Sequence, residues 1–132
     1  MRRLLLLTIA FALLATPAKV ALADCKLHVN DRIVLYSVTD DPDVLVWDSR
    51  FRLRSYNAAT FDQAQQLLPH AYVAKPGTRA IIESCVPDFV VSPELDHPND
   101  AVGIIIISGP DRGKSGWVLS SDIRGVYHPI PH

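Results

Sequence analysis

The sequence predicts a mainly β protein, one small barrel or sandwich domain with a single short inserted helix. Three observations carry this. Apolar residues come in short runs, several of which alternate with polar ones. Clusters of Pro, Gly, Asp and Ser separate the runs at short intervals. Only the stretch 61–68 changes to helical spacing.

In chain order, residues 31–38 read as a strand, with Ile33 and Leu35 on one face and Val34 and Tyr36 on the other. Thr39, Asp40, Asp41, Pro42 and Asp43 form a turn by composition. Residues 44–47 give a second short strand. Residues 50–56 alternate, Phe51 and Leu53 against Arg50, Arg52 and Arg54, and predict a half-buried strand with a wet, basic side. The period then changes. Thr60 followed by Gln63 fits a capping box, and Phe61, Ala64, Leu67 and Leu68 share a helical face that Pro69 ends. Pro76-Gly77 turns the chain. Residues 79–85 are a strand that 88–92 continue beyond Pro87, and 92–100 form a polar loop with two prolines. The run 101–108 is strongly β-forming, and Ile104 to Ile107 place apolar groups on both faces, as a central strand does. Residues 109–115 turn, 116–119 return as a strand, and 120–123 make a short polar step before a last strand. The end, 127–132, is Pro-rich.

The first 23 residues stand apart. Arg2 and Arg3 precede an apolar run interrupted only by Thr8, and Ala21-Leu22-Ala23 offers small residues to a signal peptidase. The run is too short for a membrane span, which needs about 20 apolar residues. The expected domains are a signal peptide, 1–23, and a mature domain, 24–132, in the periplasm or secreted, with no membrane span after cleavage. The mature chain would carry ten Lys and Arg against 14 acids, a net charge of −4 with neutral His. No basic face stands out, which argues against nucleic acid as a partner. Two cysteines in an exported chain, Cys25 and Cys85, predict one disulfide.

The segment 104–123 (IIIISGPDRGKSGWVLSSDI) resembles the C-terminal half of an SH3-like barrel. In that family a strand leads through a tight hairpin into a Gly-aromatic-Val strand. A one-turn 3₁₀ step and a last short strand complete the half. Gly116-Trp117-Val118 fits the first motif, Ser120-Ser121-Asp122 the step and Ile123 the last strand. A looser match through 31–38 and 77–84 extends the resemblance over most of the mature chain. The helix at 61–68 is an insertion relative to minimal SH3 domains. The aromatic motifs by which eukaryotic SH3 domains bind Pro-x-x-Pro peptides are missing, so that activity is not carried over. The nearer likeness is to bacterial SH3-like domains of cell-wall proteins.

The chemistry-bearing motifs are sparse. Ser108 to Ser115 approaches a phosphate-binding loop, but the first glycine position holds Ser108, and Gly116-Trp117-Val118 is a poor helix start, so a hairpin is expected. Asp40, Asp41 and Asp43 lack calcium-loop spacing. Glu94, Asp96, His97 and Asp100 lack a regular scaffold for a metal. No metal, no cofactor and no catalytic set is expected. The resulting expectation is a non-catalytic binding module for a protein or cell-envelope polymer, with Trp117, Tyr36, Trp47, Arg50, Arg52 and Arg54 as the candidate ligand surface. The alternatives are a small secreted inhibitor of another enzyme and a small extracellular hydrolase.

Overall fold

Alternation along the strands sorts the apolar side chains between the two faces of one sheet, and that sorting builds the molecule. The computed structural model describes residues 25–39, 41–92 and 97–127. The predicted signal peptide, residues 93–96 of the polar loop and the tail from 128 lie outside these. The protein is mainly β. Its strands are β1 (Arg32–Leu35), β2 (Val44–Trp47), β3 (Ala71–Ala74), β4 (Arg79–Val90), β5 (Asn99–Ile106), β6 (Ser115–Leu119) and β7 (Ile123–Tyr127). All pair antiparallel in the order β3-β2-β6-β5-β4-β1-β7, and the sheet curls into a half-barrel. The last strand thus returns beside the first, with Ile33 opposite Val126.

The inner face is aliphatic. Ile33 and Leu35, Val44 and Val46, Ala80 and Ile82, Val102, Ile104 and Ile106, and Val118 are all buried there together. Their partners one residue along point outward. Leu45, Trp47, Ala101, Trp117 and Leu119 form a second cluster on the outer face with Leu53, Tyr56 and Phe89. β4 serves both faces because it bends. Its register against β5 shifts between Ile82 and Ser84 and again between Val86 and Val90, and Asp88 takes a positive φ of 51°. Such bulges turn a strand and re-aim its side chains. Ile82 therefore belongs to the inner cluster and Val90 to the outer.

The expected strand over 50–56 is a helix, α1 (Arg50–Asn57). The Ser49 hydroxyl accepts from the Phe51 N–H at 3.1 Å and satisfies one of the free donors of the first turn. Arg52 reaches back one turn to Asp48. A strand would have placed Phe51 and Leu53 on one face. The helix separates them: Leu53 is buried and Phe51 is 52% exposed. The second helix, α2 (Phe61–Leu67), lies where the sequence predicts one, and the Thr60–Gln63 capping box is formed in both directions. It runs into a 3₁₀ turn, Leu68–His70, that Pro69 starts. So there are two inserted helices rather than one, and a short strand, β3, comes after them.

Two glycines are required by close approach. A Cβ on Gly116 would collide with the Val46 side chain and lie 2.8 Å from the Trp47 carbonyl oxygen. A Cβ on Gly103 would lie 2.5 Å from Ser84 Oγ and 3.3 Å from the Trp117 ring. The 107–114 turn is a tight hairpin, closed by Gly113 N–H donating to the Ile106 carbonyl at 2.9 Å, and no helix starts at Lys114. The predicted disulfide is present: Cys25 bonds Cys85 with Cα atoms 6.4 Å apart. It closes a separation of 60 residues, worth about 4 kcal/mol on the chain-entropy account, and ties the start of the described chain to β4.

Candidate functional site

The six expected ligand residues do not form one surface. Trp47 is 1% exposed and packs against Tyr56 with ring centroids 4.8 Å apart, so it belongs to the core. Trp117 stands opposite it on β6 and is only half-buried, while its neighbour Val118 is fully buried on the inner face. Tyr36 is 40% exposed at the end of β1, under the Arg124 guanidinium at 5.3 Å. The three arginines sit on α1, so they do not line one strand face. Arg52 turns to Asp48. Arg50 and Arg54 turn to aromatic rings. Arg50 lies 5.0 Å from the centre of Phe51 and 5.8 Å from that of Trp117, and Arg54 lies 4.4 Å from that of Phe89. These stacks give both guanidiniums a structural use in holding α1 on the sheet.

The alternation missed two grooves, because each draws its lining from several separated strands, turns and loops. One, of about 590 Å³, runs along β7 past the 3₁₀ turn Ser120–Asp122, and its rim mixes Lys26, Arg124, Asp88 and Asp100. Its polar groups are engaged with one another. Asn99 Oδ1 accepts from Ser120 Oγ at 3.0 Å and from the Ser121 N–H at 2.9 Å, and Asp100 accepts from the Asp88 N–H at 3.0 Å.

The other groove, of about 550 Å³, lies between the β1–β2 loop, the C-terminal end of α1 and the 3₁₀ turn. Leu45, Tyr56, Val73 and Leu119 give it an apolar wall, and Asp41, Asp43 and Asp122 give it a negative rim. Asp122 is the distinctive group. Burial raises its carboxyl from 3.8 to about 6, against hydrogen bonds from the Ser37 side chain and the Leu119 backbone that lower it. None of these three carboxylates has a cation partner among the described residues. The groove is therefore a trough with an aromatic flank and uncompensated negative charge.

Catalytic and metal constellations are poor by comparison. His70 Nδ1 approaches Asp48 Oδ2 at 3.3 Å, but Arg52 holds the same oxygen at 2.6 Å, and among the described residues no hydroxyl or thiol hydrogen-bonds to His70. The Arg52 hydrogen bond keeps the Asp48 carboxyl below its ordinary value, with help from His70. Asp100 lies within 4.8 Å of the Cys25 and Cys85 sulfurs, but a disulfide has no thiolate to offer a metal. No helix among the described residues is long and apolar enough to cross a membrane.

Comparison with known proteins gives no further constraint: no family model, no curated protein and no solved structure matches the chain.

Proposed function

We propose that this protein is an exported, non-catalytic SH3-like module. Its acidic groove receives an ammonium or guanidinium group presented by a protein or cell-envelope polymer. The run of elements from β5 through the hairpin, the Gly-Trp-Val strand, the 3₁₀ turn and β7 supports the SH3-like reading. The Cys25–Cys85 bridge is compatible with the periplasm or the outside of the cell.

The observation that carries the ligand class is the Asp122 carboxyl, without a cation among the described residues, in a groove that Tyr56, Asp41 and Asp43 also line. A half-buried carboxylate without a cation carries part of a desolvation cost, and an incoming cation relieves it. The adjacent ring adds a cation–π surface. The test is an NMR titration with lysine amide and with arginine amide, run above and below pH 6. Amide shifts around Ser37, Tyr56 and Leu119 are expected to saturate and to weaken as Asp122 protonates. Asp122→Asn should keep the fold and lose the binding. Unchanged binding in that variant, or shifts spread over the whole surface, rejects the groove.

A further inference from the structure

A second charged concavity lies on β1 and β4, outside the acidic groove. It is a hollow of about 580 Å³ beside the β5–β6 hairpin. Three arginines line it, each from a different place in the chain. Arg32 comes from β1, Arg79 from the start of β4 and Arg112 from the hairpin. Among the described residues no acidic one lines it, and Ile81 and Ile107 supply its apolar floor.

The register explains how the charges meet. Arg32 stands opposite Ile81, and Val34 stands opposite Arg79, so the two arginines are diagonal neighbours across the β1–β4 pair. Like charges on one face at this spacing repel. The hairpin adds a third. Its shape is fixed by Gly109 and Gly113, both at positive φ, and by Ser108 Oγ, which accepts from the Arg79 N–H at 2.8 Å. The neighbouring carboxylate of Asp111 is taken by Lys114 Nζ at 2.9 Å and is not spent on Arg112. The full chain has a net charge of −1, so its background charge does not explain why Arg32 and Arg112 converge on one hollow.

We infer that this hollow is a site for a tetrahedral oxyanion, a phosphate or a phosphate ester, gripped by Arg32 and Arg112 with Arg79 at its side. A carboxylate offers two oxygens in one plane and is satisfied by one guanidinium fork. Guanidiniums converging from separate strands suit a group that presents oxygens in several directions. This is not the phosphate grip of a nucleotide loop, since no helix succeeds the hairpin and the charges come from side chains.

The test follows Arg Nε–Hε and backbone signals during titration with sodium phosphate at constant ionic strength. Sodium acetate and glycerol 3-phosphate are titrated in parallel, and vesicles containing phosphatidylglycerol are added in a separate arm. Phosphate should give saturable shifts at Arg32, Ile107 and Arg112, and acetate should not. Glycerol 3-phosphate binding alone assigns an ester ligand, and vesicle binding lost in the same variants assigns a lipid headgroup. Arg112→Gln, in the exposed hairpin, should weaken phosphate binding roughly tenfold without moving the melting temperature. Arg32→Gln should do the same, and Arg124→Gln, on β7 and outside the lining of the hollow, should not. Equal shifts with acetate, or equal loss in the Arg124 variant, overturn the site and leave only diffuse charge. Because the acidic groove shares none of these residues, either proposal fails without the other.

Discussion

The two faces of the sheet are held by different chemistry. The inner face is closed by branched aliphatic residues on five strands with Ala74 from β3, and every one of its buried members comes from a strand. The outer face is closed by α1, and the contact is largely aromatic: Trp47 on Tyr56, Phe51 on Phe89, Trp117 under Arg50. The inner layer is knitted by backbone ladders as well as packing. α1 has no such ladder and depends on side chains alone. A β core and its helical cover can therefore differ in stability within one small domain.

That difference is open to attack from both sides. The largest effect is expected inside. Ile104→Ala empties a fully buried site and should cost about 4 kcal/mol in denaturant unfolding, enough to threaten a domain of this size. Trp117→Ala on the outer face should cost about 2 kcal/mol, since the ring is already partly in water. Hydrogen exchange sharpens the contrast. In the Trp117 variant the α1 amides should exchange much faster while β4 and β5 stay protected. If both regions lose protection together, the two layers are one cooperative unit.

The third test works through charge. The folded-state value of Asp122, about 6, lies above its unfolded value, so the folded chain keeps a proton that the unfolded chain has released. Stability should fall as pH rises from about 4 to about 6, and stay reduced above that. Asp122→Asn removes the slope and should stabilise the protein at pH 7 by about 2 kcal/mol. A variant with the parental pH profile would show that the carboxyl is solvated. The smallest effect belongs to Asp48, whose lowered value reverses the sign: its contribution is present above the unfolded value and is lost as acid protonates it. Because the Asp48–Arg52 pair is exposed, Asp48→Asn should cost under about 1 kcal/mol.

The inner layer was largely legible in the sequence. Ile33 and Leu35 announce β1 by sharing a face, the 101–108 run announces β5 by its β-forming content, Gly116-Trp117-Val118 announces β6 by its motif, and Thr60 with Gln63 announces α2. The outer layer was hidden for a physical reason. Over seven residues, Phe51, Leu53 and the arginines alternate as a strand would, and the helix is decided by Ser49, one residue before the pattern starts. β3 carries too few residues to show any period. The acidic groove and the arginine hollow were out of reach because their residues come from separated elements, and only the curl of the sheet brings Asp41 near Asp122 or Arg32 near Arg112.

A half-barrel differs from a closed one in having ends. β3 and β7 each have a neighbour on one side only, so each leaves a row of backbone donors and acceptors that a foreign strand could join. On β3 the row is four residues long and includes Val73, which is half exposed. Pro69 stands just before it, and Lys75 and Pro76 stand just after. A proline cannot donate to a ladder, and a lysine resists being stacked against a copy of itself. These three residues act as gatekeepers, and they keep the unfinished edge too short to template a fibre.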